Sequence, residues 1–130
     1  MNTPTILAMN IQPEKLGKLR FLCLRLGIRV QIVEQRSFGC AVGDLVAGSA
    51  APVRGKWAPF ADEMLVMASF RPGMLDAFLG GFREMGIAPV ALKAMLTETN
   101  ASWTLERLHA ALREEHEQME AFRRQRGAGK

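Results

Sequence analysis

Cysteine is scarce in this chain, long apolar runs are missing, and none of the common catalytic signatures occurs. Of 130 residues only Cys23 and Cys40 carry thiols. No C-x-x-C spacing joins them, so neither a zinc site nor a dithiol redox centre is indicated. Cys23 falls in a helical pattern and Cys40 in a loop, and both read as reduced and incidental. No apolar stretch approaches the ~20 residues a helix needs to span a bilayer, so no membrane partner is expected. The first residues lack a basic segment followed by an apolar one, which makes the cytoplasm the expected compartment. There is no G-x-S-x-G elbow, no Walker loop, no G-x-G-x-x-G and no H-E-x-x-H. No residue reads as catalytic, no cofactor or metal is expected, and nothing positive argues for an enzyme.

What is present is ordinary globular material. Apolar residues make up 48% and charged residues 23%, enough for a single domain over 1–130 with a core that needs neither disulfides nor metal. The net charge of +4 is unevenly spread. Residues 1–62 hold eight Lys and Arg against four Asp and Glu, whereas residues 63–130 hold nine against nine. A basic tail follows at Arg123, Arg124, Arg126 and Lys130, with 125–130 expected to be flexible. This balance permits weak attraction to phosphate groups without demanding it, and nucleic acid is a disfavoured partner.

The chain repeats itself. Ile6-Leu7-Ala8-Met9 and Met64-Leu65-Val66-Met67 are short apolar runs of strand character. Each is followed by a proline, Pro13 or Pro72, at a plausible first helical position. Helices are predicted over Pro13–Leu26, with Leu16, Leu19, Leu22, Cys23 and Leu26 on one stripe, and over Pro72–Met85, with Leu75, Phe78, Leu79 and Phe82. Gly27 and Gly86 stand just past them as C-terminal caps. Second strands follow at Arg29–Val33 and Val90–Leu96. The units, about 5–33 and 63–96, are two βαβ motifs. They predict an α+β fold of the ferredoxin-like split βαβ kind, with a four-stranded sheet, two helices and a long C-terminal helix. The alternative is an open doubly wound α/β sheet. Ile6–Met9 and Met64–Ala68, apolar on both faces, read as central strands, and Arg29–Ile32, which alternates, as an edge. Two helices cover one sheet face, which leaves the third helix, the linker or a second subunit to cover the other.

The linker, 34–62, is rich in glycine and proline. A short helical turn near Asp44–Ala47 is expected, with the rest a surface crossing, a flap or a segment ordered by a partner. Trp57, with Arg54, Lys56 and Phe60, forms a small basic-aromatic patch that could stack a nucleobase. Asp62-Glu63 reads as a solvated turn. Gly80-Gly81 inside the second helix reads as close packing rather than phosphate binding.

A third helix is predicted over about 104–124. Thr104 is a suitable N-cap, and Leu105, Leu108, Leu112, Met119 and Phe122 form a narrow seam interrupted by Glu115. His109 and His116 lie on one face, but neither has a second histidine at the spacing a helical metal site requires.

The stretch leading into this helix is the richest in chemistry: Leu92-Lys93-Ala94-Met95-Leu96-Thr97-Glu98-Thr99-Asn100-Ala101-Ser102-Trp103-Thr104-Leu105. Lys93 alternates with Leu92 on the last strand and reads either as an anion-binding lysine or as a gatekeeper on an edge strand. Backbone N–H groups from Thr104 onward would form the other half of an anion pocket. Asn100, Thr97 and Thr99 fit a polar turn, and Trp103 fits a plug at the sheet's end or a stacking platform. The pattern L-K-A-x-L-T-x-x-N-x-x-W-T-L, followed by a helix with His116 after Glu115, resembles a small bacterial family known as a domain of unknown function. The resemblance covers roughly Met64–Met119. It implies no activity, but it supports the α+β reading and marks Lys93, Thr97, Asn100, Trp103, Thr104 and His116 as the residues to test for ligand binding.

The leading functional expectation is a non-catalytic association module, acting as a homodimer. The alternatives are a regulatory domain that binds a small anionic ligand at the 93–104 turn, and weak nucleic-acid binding.

Overall fold

The computed structural model describes residues 3–49 and 60–128, with side chains through residue 125. Two strands, β1 (Thr5–Met9) and β3 (Met64–Ala68), are buried along their whole length. A strand apolar on both faces is stable only inside a sheet covered on both sides, and these two form its centre. They run antiparallel, with Thr5 opposite Ala68 and Met9 opposite Met64. β2 (Arg29–Ile32) lies parallel to β1 on one edge, and β4 (Leu92–Met95) parallel to β3 on the other, giving the order β2-β1-β3-β4.

The α+β class, the four-stranded sheet and the long C-terminal helix agree with the sequence reading. The strand order differs from the interleaved one of the ferredoxin-like split. There, β2 hands directly to β3 through a tight hairpin. Here residues 33–63 stand between them, so each edge strand pairs with the central strand of its own unit.

α1 (Pro13–Leu26) and α3 (Met74–Met85) cover one face. Ile6, Ala8, Leu65 and Met67 meet Leu19, Leu22, Cys23, Phe78 and Phe82 there. α1 starts at Pro13 as predicted. α3 starts two residues after Pro72, because Gly73 takes a left-handed conformation (φ 80°) that no helical residue can share. Gly27 and Gly86 end the helices in left-handed turns, and the N–H groups of Ile28 and Ile87 reach back to the carbonyls of Cys23 and Phe82 at 2.9 and 2.8 Å.

The opposite face is covered from within the chain. A 3-10 turn (Gln35–Ser37), α2 (Val42–Ala47) and α4 (Leu105–Ala128) lie over it. Leu7, Met9, Met64 and Val66 pack there against Phe38, Val42, Leu45, Phe60, Leu105 and Leu108. Of the three covers left open by the sequence, the linker and the third helix do the work together. The helical turn expected at Asp44–Ala47 is α2, two residues longer at its start.

The two halves relate by an approximate two-fold axis through the β1–β3 pair. Asn10 and Ser69, each the first residue beyond its central strand, share a left-handed backbone (φ 58° and 61°). The entries to α2 and α4 cap each other: Val42 N–H donates to the Trp103 carbonyl at 2.9 Å, and Leu105 N–H donates to the Cys40 carbonyl at 3.1 Å. A second reciprocal pair joins Gly43 N–H to Ala101 O and Glu106 N–H to Phe38 O, at 2.8 and 3.0 Å. One constant shift along the chain converts the first bond of each pair into the second. The repeat read from sequence as βαβ is therefore βαβα, with α2 the counterpart of the first turns of α4.

Candidate functional site

The polar turn between β4 and α4 is held by Asn100, which is buried. Its Oδ1 accepts from the Thr97 N–H at 2.8 Å, and its Nδ2 donates to the Met95 carbonyl at 3.0 Å. The Asn100 N–H in turn donates to Thr97 Oγ1 at 3.1 Å. The amide is thus occupied on both sides by its own loop, an Asx-type closure built from residue types suited to it. Thr104 Oγ1 accepts from the Arg107 N–H at 3.1 Å and caps α4 as expected.

The anion pocket expected at the start of α4 is not formed. Its first three N–H groups already have acceptors in Cys40 O, Phe38 O and Thr104 Oγ1. The cause is the two-fold axis: the loop leading into α2 arrives opposite, and its Phe38 and Cys40 carbonyls stand where an anion would accept. Trp103 is half-buried against the core of that face, and the Arg107 guanidinium lies 4.3 Å over its ring. That contact leaves one face of the indole covered by a cation.

Lys93 and His116 come together elsewhere. They line an open groove of about 310 Å³ between the β4 edge and the middle of α4, with Leu112, Glu115, Met119, Glu120 and Arg123. Lys93 Nζ also donates to the Val90 carbonyl. The six marked residues therefore divide among three places: Lys93 and His116 in the groove, Thr97 and Asn100 in the turn, Trp103 and Thr104 at the helix start. The groove's cations face the carboxylates of Glu115 and Glu120, and Glu120 is paired with Arg123 at 3.3 Å.

Beyond Leu112 the helix overhangs the sheet, with the groove between it and the β4 edge. Leu105 and Leu108 are buried and Leu112 packs on the same core, but Met119 and Phe122, on the same stripe, are each 54% exposed. α2, the counterpart in the first half, stops at Gly48. The overhang is therefore an addition to the repeated unit and is not needed to cover the sheet.

A second cluster was not legible in the sequence. The His109 ring stacks on Phe60 (3.8 Å between centroids), and Phe60 stacks on Phe38 (4.3 Å). His109 Nε2 lies 2.8 Å from Asp62 Oδ2, and Arg113 donates to Asp62 Oδ1 at 3.1 Å. Asn10 Nδ2 donates to the carbonyls of Phe60 and Asp62, at 2.8 and 3.0 Å, which accounts for its left-handed backbone. The hydrogen bond with His109 holds the Asp62 carboxyl below its usual range; burial opposes this, and the Arg113 charge adds to the lowering.

Two readings of the linker change accordingly. Phe60 is buried rather than part of an exposed patch, and Asp62-Glu63 is not a solvated turn, since Glu63 accepts from Lys15 Nζ at 2.6 Å. Arg54, Lys56 and Trp57 lie outside the described residues, as does Lys130. The only sequence signal for this clasp was the aromatic-plus-acid spacing before β3. Its partners are remote in the chain, and no local pattern links them.

Both cysteines are buried, and burial pushes the Cys23 thiol up to about 12, which keeps it protonated and unreactive. Among the described residues no group of three His, Cys, Asp or Glu side chains is placed to hold a metal ion, and no helix is long and apolar enough to cross a membrane.

Residues 63–119 match a family described as a domain of unknown function (DUF3783). The matched span runs from the start of β3 to Met119, within the overhang of α4. No curated protein and no solved structure matches the chain.

Proposed function

From a domain of unknown function carried on the second half of the chain, we propose a non-catalytic association module that works as a homodimer in the cytoplasm. One observation carries this reading: α4 exposes Met119, at 54%, on the stripe that is buried at Leu105 and Leu108. Exposed apolar side chains that continue a buried stripe are a common mark of a partner surface. Cys23, a buried thiol, suits a reducing compartment.

The doubly apolar strands no longer argue for a partner, because α2 and α4 cover them. The association reading now rests on α4 alone. Sedimentation velocity of the full chain from dilute to concentrated solution tests it. A reversible monomer–dimer equilibrium is the expected result, and a monomer at every concentration overturns it.

A small anionic ligand in the groove is the second reading, supported by Lys93 from β4 and by His116 and Arg123 from α4 in its lining. Glu115 and Glu120 in the same lining weigh against it.

A further inference from the structure

We propose that the chain binds a small apolar carboxylate at the end of the sheet beside α2, in a site apart from both the groove and the α4 stripe. An open pocket of about 400 Å³ lies there, within the size range of small-molecule sites. Residues on or next to all four strands line it, Thr5, Arg29, Ser69 and Leu96 among them, and α2 adds Val46 and Ala47.

The approximate two-fold axis points to what such a place holds. It carries Thr3 onto Asp62 through the register of the central strands, Ser69 onto Asn10, and Val46 onto His109 through the paired helix entries. The counterpart of the pocket is therefore the clasp, where the Phe60 ring lies on His109 and is held by Asp62 and Asn10. At that end of the sheet the chain supplies its own apolar ring and its own carboxylate. At the end beside α2 the lining changes in one direction. Threonine, valine and serine stand for the aspartate, histidine and asparagine of the clasp, and Arg29 stands where the second half has Leu92. An acid is removed and a cation is added.

The local chemistry fits an incoming carboxylate. Arg29 Nη2 donates to Gln31 Oε1 at 2.7 Å, and Gln31 Nε2 donates in turn to the Leu45 carbonyl of α2 at 2.6 Å. The guanidinium is thus steadied on one side while its other N–H groups remain for a ligand. Among the described residues no carboxylate pairs with it, and the pocket lining holds no acid. Thr5 is buried, and its Oγ1 already donates to the Thr3 carbonyl at 2.9 Å, so it meets a ligand as an acceptor. Val46, Ala47 and Leu96 give the ligand's body an apolar wall. One cation, a few hydroxyls and an apolar wall suit a monocarboxylate with a short apolar body better than a doubly charged phosphate.

The test is an NMR titration of the isotope-labelled full-length chain with phenylacetate. The amide signals of Thr5, Arg29, Val46 and Ser69 are expected to shift together, with a dissociation constant of about 1 mM or tighter. Phenethyl alcohol has the same body without the charge, and inorganic phosphate has charge without the body. Each is expected to bind at least about tenfold more weakly. Arg29→Gln should weaken phenylacetate by about tenfold as well, and Ala47→Phe should fill the pocket and abolish binding. Both positions are exposed, and unchanged amide signals away from the pocket check that the variants fold. Absence of shifts at these four amides, shifts around Lys93 and His116 in their place, or undiminished binding by Arg29→Gln overturns the site. Phosphate or phenethyl alcohol binding as tightly as phenylacetate overturns the assigned ligand class.

Discussion

Asp62 shows how much one side chain can organise here. It lies between the linker and β3, yet it binds His109 and Arg113 on α4 while its own carbonyl is held by Asn10. Its carboxyl is depressed, so the stabilisation it gives is present above the unfolded value near ~3.9 and is lost as pH falls through the lower folded value. The side chain is 37% exposed, which limits the effect to under about 1 kcal/mol. Asp62→Asn should therefore lower the thermal midpoint slightly at neutral pH, and wild type and variant should converge below about pH 4. Melting curves across this range check it, and a difference constant with pH would show that the carboxylate charge is irrelevant. Asn100 teaches the opposite lesson. Its residue type pointed to a turn, and a turn is what it builds.

At the scale of elements, α1 and α3 pack across the same face with Gly81 at their closest approach. A Cβ at Gly81 would stand 2.4 Å from Leu22 Cδ1 and 2.9 Å from Cδ2, and Leu22 is itself buried. Gly81→Ala should destabilise by about 1–3 kcal/mol, because the buried Leu22 side chain must shift to admit the methyl. Gly80 has no atom within 4 Å of its would-be Cβ. Gly80→Ala should stabilise by roughly 0.5–1 kcal/mol through helix propensity. Urea denaturation of the two variants reads both signs in one experiment, and equal effects would refute the packing argument. The sequence showed the glycine pair and its helix. Which of the two touches the neighbouring helix depends on how α3 is rolled over the sheet, and that is set by Phe78 and Phe82 beneath it.

For the whole molecule, the two halves are tied by the β1–β3 ladder and by the mutual capping of α2 and α4. Neither half has a covered sheet alone, since α4 and α2 meet over the strands of both. The chain should unfold in one transition, with Trp fluorescence and far-ultraviolet circular dichroism coincident along a urea titration. Two separated transitions would mean that the halves are independent units. If α4 pairs with a second copy, the unfolding midpoint should rise with protein concentration.

The sequence by itself determined the elements and most of their ends. Apolar runs that alternate or fail to alternate, a proline at a helix start and glycines at two helix ends are local signals, and local backbone preference sets them. It also determined which strands are central, because an element apolar on both faces has one stable place. The tertiary structure alone decided the strand order, the burial of Phe60, the clasp of Asp62 with His109, and the use of the first N–H groups of α4 by carbonyls of the first half. Each of these depends on groups far apart in the chain meeting at one point, and the energy that fixes them is absent until the sheet has formed.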